Sequence, residues 1–547
     1  MLFNSLTFLF VFLPLTVLGY FAVWKFSSHW SGKLFLVLAS LVFYCWWNPL
    51  NFFVIAVSVA LNFSLGQILI RKISIPQSLP TPSILIVGII FNIGLLGYFK
   101  YLNFTVEIFN FAFGTQISFG EILLPLGISF FTFQQIAFLI DANAGQIKAP
   151  KFLDYVLFVT FFPQLISGPI VHYREMMPQF ERPFFRGFSD EGFSVGLTLL
   201  IIGLFKKIVL ADIMKFYSDL TFDAASNGHP IQFLEAWAGS TAFSLQLYFD
   251  FSGYSDMAVG LGRMLGVCIP LNFNSPYKAR SVIEFWTRWH ITLSRFFNAY
   301  VYNPVILGLT RSRAYSSVAG LGAQNKSLGA FGYLIAFPTM ITMFLIGIWH
   351  GASYTFALLG LFHGFALLIN HSWRIFRKKV TYLGSFKGYT WQLFSLILTF
   401  LTVTSSFVLF RADNLLAAKS MYEGMLGLNG IAITPLIMGI FEFFDLDYSG
   451  LTRSLADYQF FWTAFLLLVV FFAPNSQQIL FDYLNPSRQD EKKQNIIHKF
   501  YDLQPYRLRY FSWKPNLAWG VCFGVMAYIA IFSFSGTLPT AFLYFEF

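Results

Sequence analysis

The chain has 547 residues, of which 56% are hydrophobic and only 11% charged, with 71 Phe, 13 Trp and a mean hydropathy of +0.62. So apolar a composition excludes a soluble globular enzyme and indicates an all-α, polytopic membrane protein. The net charge of +10 informs mainly through its placement, and the three cysteines, Cys45, Cys268 and Cys522, are too far apart for a CxxC site or a disulfide framework.

Runs of about 20 apolar residues recur along the chain and predict roughly eleven to thirteen transmembrane or re-entrant helices. The N-terminal "MLFNSLTFLFVFLPLTVLGYFAVWK" lacks a basic n-region and a small-residue cleavage site, so it reads as a first span over 5–24 and not as a cleaved signal. Spans over 33–49, 50–70 and 82–100 follow, separated before the last by the Pro/Ser-rich "RKISIPQSLPTP". The next stretches, "LPLGISFFTFQQIAFLID" (124–141) and "FVTFFPQLISGPIVHYREMMPQF" (158–180), are apolar but interrupted by Pro and Gly. Broken backbone survives at membrane depth only where protein or a wet cavity satisfies it, so these segments are expected to line a cavity.

The span "GFSVGLTLLIIGLFKKIVLAD" is expected to end at the Lys206-Lys207 pair. Beyond it, "FSLQLYFDFSGYSDMAVGLGRMLG" (243–266) carries Asp250 and Asp256 inside apolar sequence. Each carboxylate there must be paired, protonated or turned to a wet interior, and structural pairing serves as well as catalysis. Residues 271–305, "LNFNSPYKARSVIEFWTRWHITLSRFFNAYVYNPV", are too polar for a span and too aromatic for a free loop. On a helical period Trp286, Trp289, His290 and Leu293 share one face and Arg288 and Arg295 another, which describes an interfacial or half-buried amphipathic helix. A long apolar stretch then places His350 before Gly351, Ala352 and Ser353, small residues that let a ligand or another backbone approach the imidazole. Spans near 390–411, 458–474 and 516–536, a charged loop from about 475 to 514 and the terminal "FLYFEF" complete the chain.

Two segments are one-sidedly basic: seven Lys/Arg against Glu284 between 263 and 313, and five basic residues with no acid between 374 and 387. The positive-inside rule assigns both to the cytoplasm, where they serve as topology anchors or as a landing surface for an anionic substrate. Of eight histidines, His29, His229, His371 and His498 fall in loops or at span ends, leaving His172, His290, His350 and His363. No HExxH or comparable ligand spacing is present, so no metal is expected. GxSxG, Walker and GxGxxG patterns are also missing from any strand-to-helix setting, which removes hydrolases and nucleotide-driven pumps. What remains is a buried imidazole able to take a proton from a hydroxyl as that oxygen attacks an acyl carbonyl.

Five ordered motifs, "LPLGISFFTFQQIAFLID", "FFPQLISGPI", "LQLYFDFSGYSDMAVGLGRMLG", "NFNSPYKARSVIEFWTRWHITLS" and "GIWHG", resemble those of the membrane-bound O-acyltransferase superfamily, in its bacterial alginate O-acetyltransferase-like branch. The resemblance implies helices ringed around a central tunnel, in a single membrane domain over 1–547 with N-terminal helices to 115, a catalytic core over 116–373 and C-terminal helices from 374. It puts the catalytic histidine on His350 of "WHG" and the second polar position on His290 of "RWHITLS". It implies acyl transfer, most simply acetyl, from a cytosolic thioester such as acetyl-CoA to hydroxyls of an extracytoplasmic polysaccharide, with no bound cofactor. The terminal aromatic motif resembles one whose tyrosine carries the acyl group, and that residue here is Tyr544; an aromatic belt at a helix end would read the same way. Trp286, Arg288, Trp289, Asp250 and Asp256 are candidates for lining the donor path.

The expected partners are membrane lipid, an acyl thioester, a polysaccharide acceptor and a periplasmic or membrane-anchored acetyltransferase, with no nucleic acid; the expected location is the bacterial inner membrane. Competing readings are a proton-coupled transporter built on Asp250, Asp256 and the histidines, a scaffold subunit, and an enzyme acylating lipid or sterol. The halves of the chain show no internal repeat, which favours the enzyme over the transporter.

Overall fold

Helices form wherever the apolar runs are uninterrupted, and their outward faces are apolar as well. Leu15, Leu18, Ile90 and Leu398, for example, stay exposed on helices that are hydrophobic all round, an arrangement costly in water and unremarked in lipid. The computed structural model describes residues 1–74, 81–120, 122–181, 188–311, 328–379, 388–433, 452–453, 457–484, 512–533 and 540–543. Among them, seven helices are long and apolar enough to cross a bilayer: Phe8–Phe26, Asn51–Arg71, Ser83–Phe113, Asp190–Ser226, Gly329–His350, Tyr354–Arg377 and Tyr389–Arg411. Shorter apolar helices cover Trp30–Cys45, Tyr458–Phe472 and Leu517–Ser533. The protein is a multi-pass, helical membrane protein; the strands described are a two-residue parallel pair, Ala432–Ile433 with Thr452–Arg453.

Two spans run past their expected ends, the one expected over 82–100 continuing to Phe113. The helix that was to end at Lys206-Lys207 continues to Ser226, loosening into a π-helical turn over Lys206–Ala211. The lysines do not stop it because each has a partner far away in sequence. Lys206 Nζ lies 2.7 Å from Asp256 Oδ2, and Lys207 Nζ donates to the Ala541 carbonyl at 3.1 Å beside the Phe542 ring.

The chain divides into two compact units. The first gathers Met1–Val209, Phe251–Asn272 and Ser476–Phe547. Its interior carries polar pairs that bind helix to helix: Asn62 and Asn92 exchange side-chain amide hydrogen bonds at 3.2 and 2.6 Å, and Lys33 meets Asp154 at 2.7 Å. The Pro/Gly-rich stretch expected to be broken is broken here. The helix Phe152–Thr160 gives way to the single turn Phe162–Leu165, and helix resumes only at Tyr173–Glu181. Protein satisfies the freed backbone in part, since the Tyr254 hydroxyl donates to the Ile166 carbonyl and Gln164 Nε2 to the Phe158 carbonyl at 2.9 Å.

The second unit gathers Leu210–Asp250 and Phe273–Asn475. Its centre is the antiparallel pair Phe337–His350 and Tyr354–Lys379, joined by three residues. Gly347 lets the two helices touch: a Cβ there would come within 2.4 Å of the Phe356 carbonyl oxygen and 2.6 Å of the Gly360 nitrogen. Small residues give membrane helices close van der Waals contact where no hydrophobic effect drives them together.

Candidate active site

His350 is the last residue of its helix and is 7% exposed. The Phe410 ring stands edge-on to the imidazole at 5.1 Å, Trp349 lies at 4.9 Å and Phe356 at 6.4 Å. Phe356 and Phe410 also meet each other edge to face at 5.3 Å, so two spans close an aromatic wall around the imidazole. The small residues after His350 were expected to admit a neighbour, and they do: a Cβ on Gly351 would sit 2.1 Å from the Phe356 ring. The following helix is started by Ser353, whose hydroxyl accepts the Phe356 N–H at 3.4 Å.

The region around His290 departs from the single amphipathic helix read from periodicity. Two short helices, Val282–Arg288 and Ile291–Phe297, meet at a corner made by His290, whose backbone is left-handed at φ 44° and ψ 53°. A non-glycine residue there is strained by roughly 1–3 kcal/mol and persists only when its surroundings hold it. Here the surroundings do so: the imidazole is fully buried, 6.1 Å from the Trp349 ring. Burial lowers the imidazole's proton affinity, to a pKa of about 3, so His290 is neutral at working pH and acts as a hydrogen-bonding group, not a cation. Trp349 thus touches both candidate histidines.

The remaining candidates divide. Trp289 is packed in the unit's core, stacked on Phe285 at 5.5 Å and flanked by Phe273 and Phe407. Arg288 belongs to a local clamp. Ser281 caps its helix by accepting the Glu284 N–H at 3.1 Å, Glu284 accepts from Arg288 at 2.8 Å, and Arg288 also donates to the Asn274 carbonyl. Asp250 is buried in the second unit. Asp256 is in the first, held by Lys206 and by the Ser476 hydroxyl at 2.9 Å. Trp286 meets His363 edge to face at 5.1 Å. Tyr544 lies outside the described residues. Among those described, no group of three or more His, Cys, Asp or Glu side chains is placed to hold a metal.

Phe356 and Phe410 escaped the sequence reading because, among 71 phenylalanines, composition gives no signal for two that face an imidazole. His363 had a signal, an ionisable residue inside a span, but its partner Trp286 is 77 residues away.

A buried imidazole at the end of a span, inside an aromatic wall, is a group able to take a proton at membrane depth, as a membrane-embedded group-transfer enzyme requires. Residues 129–322 match the model of the MBOAT, membrane-bound O-acyltransferase, family. The chain is 39% identical over 473 residues to a peptidoglycan O-acetyltransferase of Helicobacter pylori, covering 81% of this chain and 83% of that protein. It is 36% identical over 430 residues to a probable alginate O-acetylase of Pseudomonas aeruginosa, covering 78% and 75%. Over 286 residues it is 27% identical to a teichoic acid D-alanyltransferase of Bacillus subtilis, covering 52% and 68%. The chain belongs to the membrane-bound O-acyltransferase family and is an O-acyltransferase.

Proposed function

We propose that the protein moves an acetyl group from a cytosolic thioester, acetyl-CoA in the simplest case, to hydroxyl groups of a polysaccharide or peptidoglycan outside the bacterial inner membrane. The observation that carries this reading is His350, an imidazole at the end of an apolar span inside a wall of Trp349, Phe356 and Phe410. The named activities of the relatives, O-acetylation of peptidoglycan and of alginate, supply the acyl group and the acceptor class. In the reaction an acceptor hydroxyl oxygen attacks the thioester carbonyl, His350 takes the hydroxyl proton, the C–S bond breaks and the thiol leaves with a proton. General-base help of this kind is worth about 10² to 10⁴-fold. His290, neutral and fixed at its corner beside the same Trp349 ring, serves in this scheme as a hydrogen-bonding group and not as a second base.

The first acceptor in this scheme is the Tyr544 hydroxyl. A phenol ester releases its acyl group more readily than an alkyl ester because phenol is the better leaving group, with a pKa of about 10. A periplasmic or membrane-anchored acetyltransferase partner then receives the group and delivers it to the polymer. Purified protein in liposomes with radiolabelled acetyl-CoA tests both steps. Label on wild type that disappears with His350→Ala, and leaves the C-terminal peptide with Tyr544→Phe, supports base and relay. Turnover unchanged by His350→Ala rejects the base, and label retained on the terminal peptide of Tyr544→Phe rejects the relay.

A further inference from the structure

Residues 540–543, Thr-Ala-Phe-Leu, carry no charge, yet two polar side chains of the first unit engage their backbone. Asn4 Nδ2 donates to the Thr540 carbonyl at 3.0 Å and Lys207 Nζ to the Ala541 carbonyl at 3.1 Å. The next ring, Phe542, is buried, with the Lys207 ammonium 5.3 Å from its centroid and Tyr254 edge-on at 4.8 Å. Tyr254 is itself held. Phe3 stacks on its ring at 5.0 Å, and its hydroxyl donates to the Ile166 carbonyl in the broken stretch, one residue before Ser167, which is left-handed at φ 57°. Leu543 is buried as well, and the residue bonded to it is Tyr544.

Burying four uncharged residues needs no cation. Lys207 lies within the span Asp190–Ser226, where an ionisable side chain is costly and, when kept, marks function by default. Its neighbour Lys206 reaches Asp256 at 2.7 Å and so joins helix to helix, whereas Lys207 engages a chain segment that belongs to no span. What the contacts read is two carbonyls and one ring. They fix the path of the backbone up to Leu543, immediately before the residue that receives the acyl group in the relay.

We propose that Lys207 is a positioning residue for acyl transfer to Tyr544: by pinning the Ala541 carbonyl and the Phe542 ring, it anchors the segment from which the phenol is delivered to the acyl group. The proposal rests on the acyl-tyrosine relay above.

The test uses the full chain in two assays: the rate of label transfer from radiolabelled acetyl-CoA to the C-terminal peptide in liposomes, and carboxypeptidase digestion in detergent followed by mass spectrometry. Lys207→Met keeps the length of the side chain and removes its charge and donors. It is expected to lower the labelling rate about tenfold, as the loss of one hydrogen bond worth about 1.4 kcal/mol does, with KM for acetyl-CoA within about twofold of wild type. Digestion is expected to halt at Leu543 in wild type and to run past Phe542 in Lys207→Met. Lys207→Arg, which restores cation and donor, should recover most of both. Phe542→Leu alters only the docked segment and should lower labelling about fivefold, which keeps the proposal open to refutation if Lys207→Met fails to fold. Labelling by Lys207→Met or Phe542→Leu at the wild-type rate, digestion that does not distinguish Lys207→Met from wild type, a loss confined to KM, or no recovery with Lys207→Arg overturns the positioning role. Wild type that turns over acetyl-CoA without labelling its terminal peptide overturns the relay, and the role of Lys207 with it.

Discussion

Two sets of buried ionisable groups, one in each unit, are held in opposite ways. In the first, charges come as pairs: Lys33 with Asp154 at 2.7 Å, and Lys206 with Asp256 at 2.7 Å, the latter also bonded by Ser476. In the second, imidazoles are walled by rings: His350 by Phe410 and Phe356, His290 beside Trp349, His363 against Trp286. A salt bridge spends its charge and its hydrogen bonds on holding helices together. If His350 is the base of the proposed reaction, the contrast separates groups that build from a group that reacts, and substitution can test it on both sides.

The largest effect is expected at the reacting side. His350→Ala should lower acetyl transfer by about 10² to 10⁴-fold while the thermal unfolding midpoint in detergent stays near that of wild type. A large fall in the midpoint would move His350 to the building side. Conversely, Lys33→Met leaves the Asp154 carboxylate buried without its cation and should cost about 3–5 kcal/mol, read as lost yield or a lowered midpoint; Lys33→Met with Asp154→Leu should regain much of it. If the single variant is as stable as wild type, the pair is not structural.

A smaller effect should come from the wall. Gly351→Ala places a methyl 2.1 Å from the Phe356 ring, so the ring must move, at a cost of about 1–3 kcal/mol. Activity should fall with it, because the displaced ring is part of the enclosure of His350; unchanged kinetics would show that the wall is dispensable.

The smallest expected effect concerns pH and His290. Below the ordinary imidazole pKa of about 6.5 the unfolded chain takes up a proton that the folded chain, with this group at about 3, does not. Stability from this group is therefore complete above pH 6.5 and is lost as pH falls toward 3, at up to about 1.4 kcal/mol per pH unit. His290→Asn, which tolerates the left-handed corner, should lose less stability than wild type between pH 7.5 and 5.5 in matched thermal melts. Parallel curves would mean that His290 is charged or solvated in the folded state.

Much of this architecture is written in the sequence, because membrane helices announce themselves by length and apolarity. The spans over residues 8–26, 51–71 and 389–411 lie close to where the apolar runs predicted them. The room left by the small residues after His350 was also legible, and the Phe356 ring takes it. What the sequence hid is what depends on distant partners. Lys206 and Lys207 read as a helix end because nothing nearby satisfies them, yet Asp256 pairs with the first and the Ala541 carbonyl accepts a hydrogen bond from the second, both from far along the chain. Periodicity carried one helix through Trp286 and Leu293, whereas tertiary packing turns the chain at His290 into a conformation that no local propensity favours.

The glycine-mediated contact between Phe337–His350 and Tyr354–Lys379 has a consequence for substrate range. With Gly347 pressed onto the Phe356 carbonyl and Gly360, the two helices cannot slide past each other, so His350 is fixed relative to Phe356 like the zero mark of a ruler. If His350 is the base of the proposed reaction, acyl groups of different length would be sorted by what lies beyond that mark, with Phe356 and Phe410 as its graduations. Smaller side chains at those two positions are where a search for longer-chain donors should begin.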